Sequence, residues 1–325
     1  MTKLFESYKL KELGKFLKST RINLGFTQKD VEKITGITSD SLRRVEQGQV
    51  LLRFDTLILL SMAYKKDLIE DLKVYCNSTR LLSYYTRLED LIINYRLETL
   101  QNLRQDYYDY IKCFEPDTPI NYHVECQFEK LLSGISKYNS STPQDSLEDF
   151  IDAMRINNTL FNIYNYHQFK YTVFEMRILL LIALALSTKN EFASSNDMLV
   201  YCLKRVNLNR NSTYNEKLLA IKIYFNLSYN YHRIDCHDKA HKYSVKGIDF
   251  CNKHYISYGL ATLLYRKGIA EFFLNKPKYL MTLNQSLTLL LIEEKESLAK
   301  KYIDITYKNY GIPLSLDTLC NISKN

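Results

Sequence analysis

Residues 13–68 read LGKFLKSTRINLGFTQKDVEKITGITSDSLRRVEQGQVLLRFDTLILLSMAYKKDL, and this stretch decides the fold by its punctuation more than by its composition. Leu10, Leu13, Leu17 and Leu24 recur at spacings of three, four and seven, which draws one apolar stripe along a helix over 10–24. Gly25 ends that helix. Thr27 stands where an N-cap belongs, and Asp30, three residues on, is placed to reach back to the cap's backbone amide. A second helix over 28–35 is expected to bury Val31 and Ile34. Gly36 supplies a tight turn, and Thr38 or Ser39 caps a third helix ending near Gly48. Two short helices meeting at a glycine turn make a helix-turn-helix, here set between flanking helices in a five-helix unit.

These residues resemble the Xre (lambda-repressor-like) family. The pattern is carried by Leu13-Gly14, Arg21, Gly25, Thr27-Gln28, Val31, Gly36-Ile37, Leu42, Glu46 and Gly48, and it continues through Asp55-Thr56-Leu57, Leu60 and Asp67-Leu68 with no gap. A generic amphipathic bundle is the alternative, but it has no need of Thr-Gln after one turn and Glu-x-Gly after the next. The resemblance implies that the third helix enters a DNA major groove. Its DNA-facing set would be Arg21, Thr27, Gln28, Ser39, Asp40, Ser41, Arg43 and Arg44, with Gln28 and the amides of the second helix on a phosphate. Arginine bonds guanine O6 and N7 with two donors, and Arg43 and Arg44 point about 100° apart, so one is expected on a base and the other on a phosphate. Asp40 departs from this logic, because phosphates repel a carboxylate. It would accept from a cytosine amino group, orient Arg44 four residues on, or serve only as an acid at a helix N-terminus.

The chain has 325 residues, 46% of them hydrophobic and 13% aromatic, so roughly 250 residues beyond this unit must fold as something else around a sizeable core. Only 9 glycines and 5 prolines punctuate it, which argues for long helices. The net charge of +8 suits an anionic partner but is spread out: residues 1–75 hold fourteen Lys/Arg against ten Asp/Glu, a local excess of +4. The seven cysteines, Cys76, Cys113, Cys126, Cys202, Cys236, Cys251 and Cys320, are odd in number and contain no C-x-x-C, as expected for reduced buried thiols in a cytoplasmic protein. No signal peptide precedes the first helix, and the apolar run Ile178–Leu186 is too short for a bilayer, so it reads as a buried helix.

Beyond Lys73 the chain reads as helices throughout. Leu81–Phe114 forms one or two, with breaks at 115–119, 139–143 and 207–212. Tyr224-x-x-Leu227-Ser228-x-x-Tyr231, followed by Ala240, Ser244 and Gly247, meets the positions of a tetratricopeptide helix pair. Weaker copies centre on Ala183, with Ser195, Leu199 and Cys202 after it, and on Gly268. The expected architecture is all-α: the five-helix unit over 1–72, a linker over 73–80, and over 81–325 a right-handed solenoid of degenerate tetratricopeptide-like repeats. An Xre unit followed by such repeats resembles the Rgg/PlcR/PrgX-type (RRNPP) regulators. The segments KGIDFC (246–251) and LYRKGIAEFFL (264–274) look most like the PlcR-type branch.

That resemblance implies a cytoplasmic quorum-sensing transcription factor of Gram-positive type, a homodimer on a palindromic DNA operator, switched by an imported signalling peptide in the concave face of its repeats. No cofactor, metal or membrane partner is implied. The inward positions of the central repeat would be Lys222, Phe225, Asn226, Tyr229, His232 and Arg233, with Arg177, Leu181 and Leu184 on one side and Tyr265, Arg266 and Ile269 on the other. An asparagine amide pairs with both groups of a peptide backbone, and Lys222 or Arg233 suits a carboxylate. Equally, asparagine is common in such repeats and the cations can be solvated. His232, Cys236, His237 and His241 fall within ten residues, but the helix register separates them, so no metal site is expected. No motif makes a case for an enzyme. The alternative is an Xre-type regulator with constitutive DNA binding whose solenoid binds another protein; a small-molecule sensor would need an enclosed pocket.

Overall fold

The computed structural model describes residues 9–75, 79–93, 99–113, 119–139, 145–206 and 212–315. The expected breaks at 115–118, 140–143 and 207–211, the centre of the expected linker at 76–78, and the side chains of Cys76, Cys113 and Cys320 lie outside the described residues. The chain divides into two compact units, Met1–Asn121 and Tyr122–Asn325, so the expected linker falls within the first. Every regular element among the described residues is helical.

The first unit holds α1 (Leu10–Asn23), α2 (Gln28–Thr35), α3 (Ser39–Glu46), α4 (Phe54–Tyr64), α5 (Leu68–Tyr75), α6 (Thr79–Ile93) and α7 (Leu100–Cys113). The expected capping box opens α2: Thr27 Oγ1 accepts from the Asp30 amide at 3.2 Å, and the Thr27 amide donates to Asp30 Oδ2 at 2.8 Å. Gly36 takes φ +74, a left-handed turn that a side chain would strain. Thr38, rather than Ser39, caps α3. Leu13, Leu17, Val31, Leu42, Val45, Leu57, Leu60, Tyr64 and Leu68 form one core, and the Lys9 amide donates to Tyr75 O, tying the ends of the five-helix unit together. Two expected core residues are outside it. Ile34 is 56% exposed, because Phe26 and Ile37 on the flanking turns pack on the same core as Val31. Leu24 is 46% exposed because it caps α1 and lies beyond its periodicity.

The second unit takes in α8 (Pro119–Tyr138) from Tyr122 on, then α9 (Ser146–Arg155), a short 3-10 turn at Tyr166–Gln168, and three helix pairs. These are α10 (Val173–Thr188) with α11 (Phe192–Arg205), α12 (Tyr214–Arg233) with α13 (His237–His254), and α14 (Leu260–Phe273) with α15 (Tyr279–Ile292); α16 (Glu296–Tyr310) follows. Central helix α12 packs on α10, α11, α13 and α14, as stacked repeats require. Thr172 with Glu175 and Thr213 with Glu216 form capping boxes at the starts of α10 and α12. The small residues that announced the repeats, Ala183, Ser195, Ser228, Ala240, Ser244, Gly247 and Gly268, are all buried. Ser195 Oγ donates to Ala183 O and Ser286 Oγ to Ala261 O, each at 2.7 Å, so the hydroxyls are satisfied where helices approach closely. The apolar run in α10 is a buried helix, with Leu184 alone partly exposed. No helix among the described residues is long and apolar enough to cross a membrane.

Candidate functional site

α3 lies on the exposed side of its unit with Leu42, Val45 and Glu46 turned into the core and Asp40, Ser41, Arg43 and Arg44 facing outward. The first turn is held by two separate devices. Thr38 Oγ1 accepts from the Ser41 amide at 3.2 Å and donates to Ser41 Oγ at 2.8 Å. Glu32 Oε2, reaching across from α2, accepts from both the amide and the hydroxyl of Ser39, which lowers the Glu32 pKa below the ordinary glutamate value. Ser39 therefore has its proton engaged within the protein. Asp40 bonds Arg43, not Arg44: Arg43 Nη2 stands 2.5 Å from Asp40 Oδ1.

Arg21 is not DNA-facing as expected. It is buried, and its guanidinium grips Glu46 at two points, Nε to Oε1 at 2.6 Å and Nη2 to Oε2 at 3.0 Å, while Nη1 donates to Phe26 O at 2.8 Å. The residue satisfies the buried carboxylate and locks α1 to α3. Gln28 is half-buried and commits one amide hydrogen to the same Glu46 Oε2 at 2.9 Å. Burial, and then the neighbouring Glu46 carboxylate, push the Tyr64 hydroxyl up to about 12. In the helix-turn-helix, sequence reading missed the roles of Glu46 and Glu32: each bonds a partner on another helix.

In the second unit the inward positions divide into two classes. Arg177 and Lys222 are 6% and 5% exposed, and the Lys222 amine is pushed well below the ordinary lysine value, by burial first and then by the Arg177 charge. Lys222 Nζ also sits 5.7 Å from the Tyr258 ring centre. Tyr265, expected at the groove, is a core residue: its ring stacks on Tyr302 at 4.2 Å and its hydroxyl bonds Thr306 Oγ1 at 2.8 Å. Leu181 and Ile269, also expected inward, are buried core residues, while the remaining positions keep surface. Phe225, Asn226 and Tyr229 are half-buried, and Asn226 Nδ2 donates to Lys222 O at 2.7 Å. The Arg266 guanidinium covers the Tyr229 ring at 4.6 Å. Arg233 is exposed, 5.8 Å from the Phe192 ring.

Of the histidines that invited a metal reading, His232 and His237 meet and His241 stands apart. His232 Nδ1 meets His237 Nδ1 at 3.3 Å and its Nε2 meets the Tyr310 hydroxyl at 2.7 Å, whereas His241 lies beside Lys276 and Glu271. Burial first, then Arg266 and His237, lower the His232 pKa to about 4. Among the described residues no group of three or more His, Cys, Asp or Glu is placed to hold a metal ion. Cys202 and Cys251 are buried thiols as expected, while Cys126 and Cys236 are half-exposed.

The Helix-turn-helix family matches residues 17–70. No curated protein matches the chain. Among solved structures, Bacillus thuringiensis PlcR in complex with the peptide PapR7 and DNA is similar with a TM-score of 0.66 at 14% identity, covering 90% of this chain and 99% of that one. The SHP pheromone receptor Rgg2 of Streptococcus dysgalactiae is similar with a TM-score of 0.57 at 15% identity, covering 92% and 100%. Residues 17–70 are thus a helix-turn-helix domain, and the chain has the all-α fold of PlcR and Rgg2, with the higher score to PlcR as the repeat segments led one to expect.

Proposed function

We propose that this chain is a cytoplasmic transcriptional regulator that binds a palindromic DNA site as a homodimer and is switched by an imported short signalling peptide. The observation that carries this reading is the fold: a helix-turn-helix followed by stacked helix pairs, alike over nine-tenths of the chain to a protein solved with peptide and DNA together. In this reading residues 1–72 bind DNA, and 81–325 bind peptide and dimerise. Thr27, Gln28, Ser39, Asp40, Ser41, Arg43 and Arg44 form the DNA-facing set, and Arg21 serves it from behind through Glu46. Phe225, Asn226, Tyr229, Arg233 and Arg266 offer the peptide surface, aromatic area with two cations beside it. Arg177, Lys222 and Tyr265 form the floor beneath. The peptide acts by favouring the arrangement of the two α3 helices that matches successive major grooves, roughly 34 Å apart.

The test is binding to the DNA upstream of its own coding sequence, with and without synthetic peptides encoded in small neighbouring reading frames. A peptide-dependent change in affinity that Asn226→Ala removes, with helix content unchanged, supports the reading. Binding indifferent to every peptide favours a constitutive regulator whose repeats bind a protein. A chain that binds no DNA sinks both.

A further inference from the structure

Asp40 stands three residues before Arg43 on the exposed side of α3, and the two side chains are bonded at 2.5 Å. A carboxylate at the leading turn of a helix that faces DNA opposes the phosphates, and here there are two, since Glu32 also reaches that turn. Glu32 is occupied by Ser39. Asp40 has the Arg43 guanidinium, whose hydrogen bond holds the carboxyl below the usual aspartate range. The pair is close to neutral as a unit, so Arg43 gains little by releasing counterions from phosphates. Only one guanidinium N–H, on Nη2, is engaged by Asp40; an arginine has five such donors, and a guanine edge needs two. The pairing thus removes most of what is sequence-independent in an arginine and leaves what reads a base. Arg44, one residue on and about 100° around the helix, is the cation placed for phosphate.

We propose that Asp40 is a positioning residue that sets DNA specificity: it holds Arg43 away from phosphates and presents it to a guanine, while Arg44 supplies backbone affinity. This inference rests on the DNA-binding reading above and names which residue gives that binding its selectivity. The experiment uses the full chain and a library of duplexes with a randomised centre, selected with wild type, Asp40→Ala and Asp40→Asn. Binding to the selected and to unselected duplex is then titrated over ~50–200 mM salt. Asp40 is exposed and Thr38 makes the cap, so far-ultraviolet dichroism should be unchanged; the asparagine variant keeps size and removes charge.

Both variants should bind unselected duplex several-fold more tightly, with a log–log salt slope steeper by about 0.9 per recognition helix, as one phosphate contact is gained. The preference for one guanine per half-site should disappear, and the ratio of selected to unselected affinity should fall about tenfold. Wild-type slope with wild-type ratio in both variants overturns the proposal. So does a lost preference without tighter binding to unselected duplex, which would make Asp40 a direct base contact. If Arg44→Ala weakens binding while Asp40→Ala changes nothing, only this inference fails; if the wild type binds no duplex, the DNA-binding reading fails with it.

Discussion

Glu46 accepts three hydrogen bonds, two from Arg21 and one from Gln28, while its own side chain and that of Arg21 are almost wholly removed from water. Removing one member of such a pair leaves the other charged and unsatisfied, which costs more than the pair contributes. Glu46→Ala is therefore expected to destabilise the helix-turn-helix by about 3 kcal/mol, read as faster hydrogen exchange of α1 and α3 amides, whereas Arg21→Met with Glu46→Leu together should cost much less. Equal losses in the single and double variants would show that the pair is not what binds these helices. His232 behaves differently because its charge is unwelcome. The unfolded chain takes up a proton near 6.5, whereas burial lowers the folded value to about 4, so the unfolded state binds more protons between those values. Stability should rise with pH across that window and be lost as pH falls through it. His232→Gln should flatten that part of the curve in thermal melts; an identical acid slope in variant and wild type would assign it to other groups.

Helix pairs in the second unit approach closely because their facing positions are small. At Gly268 a Cβ would stand 2.7 Å from Leu283 Cγ and Cδ2, and 3.2 Å from the Leu283 backbone nitrogen. Alanine favours a helix over glycine by about 1 kcal/mol, but overpacking a filled core costs about 1–3 kcal/mol. Leu283 is fully buried and has nowhere to go, so Gly268→Ala should lower the Tm despite its better helix propensity. A raised Tm would mean that α14 and α15 part without strain. These small residues made the repeats legible in the sequence, as Gly36 and the Thr27–Asp30 box did for the helix-turn-helix. Such signals are local: a cap, a turn and a close approach are each written within one or two turns of chain. Arg21 with Glu46, Ser39 with Glu32 and His232 with Tyr310 are pairings between elements, and no periodicity reports which partner a side chain finds. The repeat offset put Lys222 and Tyr265 on the inward row, but both are buried, Lys222 beside Arg177 of α10 and Tyr265 against Tyr302 and Thr306 of α16. An offset gives direction along a helix, not depth beneath its neighbours.

A chain that carries a DNA-reading helix and a ligand groove is a switch only if the two binding events are coupled in free energy, and that coupling is symmetrical. Tightness alone shifts nothing: the peptide must bind one arrangement of the molecule better than the other. In the proposed reading, the surface around Arg266 is where that difference would be felt. Arg266 lies over Tyr229 and its charge also reaches His232 and Tyr310, so a peptide carboxylate placed there would draw on α12, α14 and α16 together. Lys222 is buried beside Arg177, and both burial and that neighbouring charge disfavour its ammonium form, so it is poorly placed to hold a peptide carboxylate. Arg266→Ala should therefore weaken peptide binding about tenfold in calorimetric titration, while Lys222→Met should alter affinity far less; the reverse order would move the anchoring point to the floor. The same titration tests the switch itself. If peptide raises operator affinity by some factor, operator DNA must raise peptide affinity by that factor, typically 5–150-fold for coupled sites. Both factors should fall together in Arg266→Ala if its contact belongs to one arrangement only. Should peptide affinity fall while the coupling factor stays at its wild-type value, Arg266 holds the peptide equally in both arrangements, and the residues that throw the switch lie elsewhere in the groove.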